Sequence, residues 1–134
     1  MVTAEEKALV QQTWALVYCT WESKNGVKFY EKMFAASTPI KEAFESFGTT
    51  NIEEMKRQAI LFGDMLNSFI LALNDEDALK CKIQGMIATH KKRNIRNMGL
   101  FKVAMQQLIA FVGTEKAAWT SVTDAILAQM KTNL

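Results

Sequence analysis

The sequence predicts an all-α protein, and three observations carry that prediction. The chain of 134 residues contains one proline and six glycines, so few positions force the backbone out of a helix. Its β-branched residues are scattered and do not alternate with polar ones as strands would require. Apolar residues instead recur at helical spacing between capping and turn residues. We therefore expect about six substantial helices and one short helix, in a single domain spanning residues 1–134.

The first part of the chain predicts two helices. Thr3 followed by Glu6 forms a capping box, which places the start of the first helix directly after Thr3. Asn25-Gly26 then indicates a break, because both residues favour turns. A second helix is expected from about Val27, where apolar residues resume at helical spacing.

A short helix and a long one are expected next. Pro39 suits the first turn of a helix capped by one of the two hydroxyl residues before it. This short helix carries Phe44, which therefore lies beside a corner of the chain. Thr50 with Glu53 forms a second capping box, and the helix that it opens runs to about Ala72.

The rest of the chain predicts three more helices. Residues 74–77, an asparagine followed by three acidic residues, indicate a turn and an acidic helix start, after which Met86 and His90 share one apolar stripe. Gly113 is placed to end the following helix, since glycine readily takes the left-handed conformation of a C-terminal cap. Thr114 is expected to open the last helix.

Composition and charge argue against several classes of protein. The net charge of +2 is near neutral, and the basic run Lys91–Arg93 is typical of a solvated helix end, so nucleic acid is not an expected partner. The first ten residues include acidic ones, unlike a secretory signal, and no stretch has the length of a membrane span. We therefore expect a cytoplasmic protein without membrane contact. Cys19 and Cys81 lack C-x-x-C spacing and are expected to be reduced structural thiols.

The one histidine, His90, ends an apolar stripe and points inward. Taken alone, a histidine at such a position is also typical of a core or capping residue whose hydrogen bonds are satisfied. Four segments of the sequence carry further information about the class of protein. They are T-A-E-E-K-A-L-V-Q-Q-T-W at the start, F-Y-E-K-M-F-A-A-S-T-P-I-K-E-A-F, I-A-T-H-K-K-R-N-I, and K-A-A-W-T-S-V near the end. Together with the separations from Tyr30 to Phe44 and from Gln58 to His90, these segments resemble the globin family along nearly the full length of the chain.

The resemblance implies a haem b cofactor, iron protoporphyrin IX, with His90 as the protein ligand of the iron. It also implies that Phe44 stacks on the porphyrin and that Tyr30 and Gln58 face the sixth coordination position. Phe62, one turn after Gln58, would line the same side of the pocket. Because the chain has one histidine, it cannot provide a distal histidine or ligate one iron with two histidines.

Further cofactor contacts are implied near His90. Ile95 would touch the porphyrin edge, and Met86, one turn before His90, would belong to the cofactor-binding set. Three basic groups lie near the helices that would face the haem, and they are candidate partners for its propionates: Arg57, Lys91 and Arg93.

Alternatives remain for both distal residues. Tyr30 could be a core tyrosine whose hydroxyl reaches a backbone carbonyl, and Gln58 could face water. Because the loop after Phe44 has no fixed length in the family, a shift of the long helix by one turn would put Glu54 opposite the iron and Met55 beside the pocket.

The function expected from this set is reversible binding of oxygen, carbon monoxide or nitric oxide for storage, transport or sensing. Hydrogen bonds from the Gln58 amide and the Tyr30 hydroxyl would favour polar bound oxygen, each contributing roughly 1.5–3 kcal/mol. Carbon monoxide, which is less polar when bound, would gain less. We therefore expect tight oxygen binding and strong discrimination in favour of oxygen.

Two other functions and a dimer are also considered. The same iron could catalyse nitric oxide dioxygenation or peroxidase-like turnover, which would need an external reductase because no G-x-G-x-x-G fingerprint is present. Alternatively, the chain could be a helical interaction module that has lost haem. Leu61 and Phe69 on the long helix could be exposed and form a homodimer contact, or they could be buried elsewhere.

Overall fold

The computed structural model describes residues 2–46 and 51–133, and no strand occurs within these two ranges. The all-α prediction is confirmed, and the described helices comprise six substantial ones and one short one, as expected. In chain order they are α1 (Ala4–Tyr18), a π-helical turn (Trp21–Asn25), α2 (Gly26–Ala36), α3 (Thr38–Glu45), α4 (Ile52–Leu71), α5 (Glu76–Lys92), α6 (Met98–Val112) and α7 (Lys116–Asn133).

Two of the expected helix starts have the predicted chemistry. Thr3 Oγ1 accepts a hydrogen bond from the Glu6 backbone N–H at 3.1 Å, and Glu6 Oε1 accepts one from the Thr3 N–H at 2.9 Å. The two bonds form the predicted capping box of α1. At α3, the Ser37 hydroxyl accepts from the Ile40 N–H at 3.4 Å, and Pro39 occupies the first turn.

The expected break at Asn25-Gly26 is wrong, because the backbone of both residues is right-handed helical. The π-helical turn leads directly into α2. The Asn25 side chain donates to the Val17 carbonyl at 2.9 Å and holds this turn against the end of α1. Gly26 is needed there for space, since a Cβ at this position would lie 2.9 Å from Nε1 of Trp21.

Two other helix starts differ from the prediction. The N-terminal cap of α4 is Asn51, whose side chain accepts from the Glu54 N–H at 2.9 Å, while the predicted cap, Thr50, lies outside the described residues. The last helix begins at Lys116 and not directly after Thr114, because Glu115 has a φ of 53° and interrupts the helical backbone. The predicted stop at Gly113 is confirmed by its φ of 73°.

Tryptophan side chains hold the helices together around a common core. Trp119 on α7 donates its indole N–H to Thr13 Oγ1 on α1 at 2.8 Å, and Trp14 on α1 donates to Asn67 Oδ1 on α4 at 3.0 Å. These bonds satisfy the polar edge of large buried rings. Apart from this core, the described residues of α2 to α6 surround a cavity, to which Met130 of α7 also contributes. Among the described residues, no helix is both long and apolar enough to cross a bilayer.

Candidate functional site

A cavity of about 520 Å³ lies between helices α2, α3, α4, α5 and α6. This volume falls within the range of roughly 300–1,000 Å³ that is usual for small-molecule and cofactor sites. Most of the lining side chains are apolar. The cavity wall includes seven residues that the resemblance suggested for the iron, the porphyrin or the gas side of the pocket: Tyr30, Phe44, Gln58, Phe62, Met86, His90 and Ile95.

His90 lies half-buried in the last turn of α5, with its imidazole in the cavity wall. Its Nδ1 is 2.8 Å from the Met86 carbonyl oxygen. Since a carbonyl can only accept, Nδ1 is the donor in this contact, which leaves Nε2 as the nitrogen that can offer a lone pair to a metal. The Phe101 ring packs against the imidazole at a centroid distance of 5.1 Å. The structure thus orients the imidazole through Nδ1 and Phe101, with Nε2 as the nitrogen that can ligate a metal.

Tyr30 lies on α2 with only 3% of its surface exposed. Its hydroxyl donates to the backbone carbonyl of Gln58 at 3.4 Å, which is a long hydrogen bond. Burial raises the pKa of the Tyr30 phenol well above its ordinary value, so the group remains a neutral donor. Its ring packs edge-on against Phe44 and Phe62 at 5.6 and 6.1 Å. Tyr30 therefore both lines the cavity and contacts the backbone of α4.

The register of α4 places Gln58 and Phe62 in the cavity wall. Glu54 instead receives a hydrogen bond from Arg57 Nη1 at 2.9 Å in an exposed pair. Met55 is buried in the core and does not line the cavity. Of the two polar residues that the sequence left as alternatives, Gln58 therefore lines the cavity and Glu54 does not.

Sequence reasoning missed several lining residues, and it left open whether Leu61 and Phe69 on α4 are exposed or buried. Phe69 is only 1% exposed and lines the cavity, so it is buried, whereas Leu61 is 57% exposed and also contributes to the cavity wall. The helical spacing from Gln58 through Phe62 and Phe69 was the signal for this wall. Five methionines also line the cavity: Met33, Met65, Met86, Met105 and Met130.

Basic side chains at the cavity form a different set from the one expected. Arg93, the C-terminal cap of α5, lines the cavity, whereas Arg57 pairs with Glu54 outside it and Lys91 is not part of the wall. Lys82 lines the cavity and was not anticipated. Cationic groups beside an apolar cavity suit a flat apolar ligand with carboxylate substituents, because the charges can pair at its edge.

Comparison with known proteins agrees with this geometry. The sequence pattern of the Globin family matches residues 27–130. Globin-2 of Phreagena soyoae is 45% identical, with 97% of this chain and 96% of that relative aligned, and Globin-1 of the same organism is 46% identical, with 96% and 94% aligned. Hemoglobin-3 of Phacoides pectinatus is 28% identical, with 88% and 85% aligned. The chain therefore belongs to the globin family, the class of haem-binding helical proteins.

The residues present fit a haem group. The cavity combines an apolar wall with one histidine whose Nδ1 is held by a carbonyl and whose Nε2 can ligate, and a histidine nitrogen is the donor that globins use for iron. Arg93, at the same end of α5 as His90, supplies a cation that suits a propionate. The Gln58 amide and the Tyr30 hydroxyl are polar groups on helices other than the one that carries His90.

Proposed function

We propose that this globin holds haem b with His90 Nε2 as the protein ligand of the iron, and that it reversibly binds oxygen or another diatomic gas. The observation that carries the proposal is that one cavity joins the free Nε2 of His90 with the donors of Gln58 and Tyr30. When bound, haem supplies a ferrous iron with a sixth coordination position for the gas.

His90 and other residues of the cavity wall would hold and orient the cofactor. The Met86 carbonyl fixes the His90 ring through Nδ1 and makes Nε2 a better electron donor. Phe44 and Ile95 would pack against the porphyrin, where their apolar surface also excludes water. Arg93 would pair with a propionate at the edge of the site.

The distal residues would discriminate between gases. The Gln58 side-chain amide offers N–H donors that favour a ligand with partial negative charge. Tyr30 has one O–H, and its acceptor is the Gln58 carbonyl. We therefore assign the larger part of the preference for oxygen over carbon monoxide to Gln58. The relative from Phacoides pectinatus named Hemoglobin-3 supports gas binding as the function.

Reconstitution tests the proposal. The purified protein is titrated with haemin, reduced, and mixed in turn with oxygen and carbon monoxide while visible spectra are recorded. We expect one haem per chain, distinct spectra for each gas, and recovery of the ferrous form when oxygen is removed. Failure to bind haem at one per chain would overturn the assignment of the cavity, and oxidation without a reversible oxygen complex would overturn the assigned function.

A further inference from the structure

Trp21 is wedged between α2 and α4, next to the distal side of the cavity. Its side chain is 2% exposed, and its indole N–H donates to the Ala59 carbonyl at 2.6 Å. Two glycines make room for it, because a Cβ on Gly26 would lie 2.9 Å from Nε1 and a Cβ on Gly63 would overlap the ring. The indole is thus tightly packed against the turn of α4 from Ala59 to Gly63.

Two successive carbonyls of α4 accept side-chain hydrogen bonds from the same side. The Gln58 carbonyl accepts from Tyr30 at 3.4 Å, and the Ala59 carbonyl accepts from Trp21. In an α-helix each carbonyl also faces the N–H four residues later, so these donors are added to the normal helical bonds. The Trp21 bond is the shorter of the two, so Trp21 supplies the stronger contact to the helical turn from which the Gln58 side chain extends.

Trp21 also contacts the next cavity residue of α4. Its ring lies 6.1 Å from the Phe62 ring, centroid to centroid, with an interplanar angle of 29°. Trp21 therefore contacts Ala59, Phe62 and Gly63, which lie within about one turn of α4. Trp21 itself does not line the cavity.

We infer that Trp21 is a positioning residue: its hydrogen bond to Ala59 sets the placement of Gln58 and, through it, the discrimination between oxygen and carbon monoxide. The inference rests on the proposed function. Loss of the indole N–H lets this turn of α4 relax relative to α2. The Gln58 amide then meets a polar gas with poorer geometry, and a less polar gas is affected less.

The test compares two conservative variants, W21F and W14F, in the haem-loaded protein. Each removes one indole hydrogen bond to α4, but Trp14 bonds to Asn67, which does not line the cavity. We expect oxygen to dissociate about three- to tenfold faster from W21F, with less than about a twofold change for carbon monoxide and for both gases in W14F. The carbon monoxide stretching frequency of W21F should shift towards that of a less polar pocket.

A double variant separates positioning from loss of stability. If Trp21 acts through Gln58, W21F should change the oxygen dissociation rate little in a protein that already carries Q58L. Equal effects of W21F and W14F, or a full W21F effect in the Q58L protein, would overturn the inference.

A second measurement keeps this test distinct from that of the proposed function. Amide hydrogen exchange needs no haem, and it reports directly on the turn from Gln58 to Gly63. We expect the amides of this turn to exchange about three- to tenfold faster in W21F than in W14F. Unchanged exchange would overturn the positioning role even if gas binding is normal, whereas absence of gas binding with faster exchange would overturn only the proposed function.

Discussion

Nδ1 of His90 lies 2.8 Å from the carbonyl oxygen of Met86, four residues earlier in the same helix. The hydrogen bond that orients the imidazole is therefore made within α5, between residues one helical turn apart. The distal side is built differently, since Gln58 on α4 depends on the contacts of that helix with Tyr30 and Trp21. We expect substitutions that loosen helix packing to disturb the distal side before the proximal one.

Replacing His90 with alanine should greatly weaken haem binding and change the visible spectrum, because the one histidine of the chain is lost. Haemin titration and the spectrum of the ferrous carbon monoxide form measure this effect. C81A, at an exposed position of the same helix, is the matched control and should bind haem normally. An H90A protein with unchanged haem content and spectrum would contradict the ligand assignment.

The two distal donors should contribute unequally. We expect Q58L to speed oxygen dissociation by at least about tenfold, because a hydrogen bond to a charged group is lost. Y30F should change it by less than about threefold, since the single O–H of Tyr30 already has the Gln58 carbonyl as acceptor.

Stopped-flow mixing of the oxygen complex of each variant with excess carbon monoxide gives the oxygen dissociation rates of Q58L and Y30F under the same conditions. A Y30F effect larger than that of Q58L would show that the Tyr30 hydroxyl does not keep its carbonyl partner when gas is bound. The assignment of the main donor would then be reversed.

Two glycine-to-alanine substitutions should have opposite effects on stability. G63A should destabilise the fold by about 1–3 kcal/mol, because the added methyl overlaps the enclosed Trp21 ring. G85A should stabilise it by up to about 1 kcal/mol, since a Cβ there meets nothing within 4 Å and alanine favours the helix. Urea denaturation of the two variants beside the parent protein measures both. A G63A protein as stable as the parent would contradict the tight fit of Trp21.

Glu6 should make stability depend on pH in the acid range. The hydrogen bond from the Ser121 hydroxyl, at 2.6 Å, and that from the Thr3 backbone hold the pKa of the Glu6 carboxyl below its ordinary value of 4.5. A lowered pKa means that the folded state favours the carboxylate. Its contribution is therefore present above pH 4.5 and is lost as the pH falls through the lowered folded value.

Denaturation curves between about pH 6 and pH 3 test this prediction, because the linkage is confined to the range around and below the ordinary pKa of a glutamate. The parent protein should lose more stability over this range than E6Q or S121A. E5Q removes a carboxylate from the same helical turn without touching the Ser121 contact and serves as the control. Parallel curves for the parent and E6Q would contradict the prediction.

Local signals in the sequence predicted local structure well. The capping box of Thr3 and Glu6 and the stop at Gly113 depend on residues within one turn of the helix end, so their spacing could be recognised directly. The same holds for His90, because an apolar stripe at helical spacing ends on it.

Features that depend on contacts distant in sequence could not be predicted in this way. The glycine at position 26 serves as space for the Trp21 ring within a helix and not as a turn residue, and the same ring also needs the space at Gly63 on another helix. The register of α4, which left Gln58 and Glu54 as alternatives, is likewise set by packing between helices. Exposure or burial of Phe69 was left open for the same reason, because its burial depends on the cavity and not on its neighbours in the chain.

The five methionines in the cavity wall affect how the protein accepts its cofactor. Thioether side chains are unbranched and rotate about several bonds, so they can change shape at little energetic cost. Met65 on α4 and Met105 on α6 can therefore adapt to a rigid macrocycle while the helix backbones keep their places. Binding and loss of the cofactor should then shift the NMR resonances of the methionine methyl groups strongly and change the positions of the helices little.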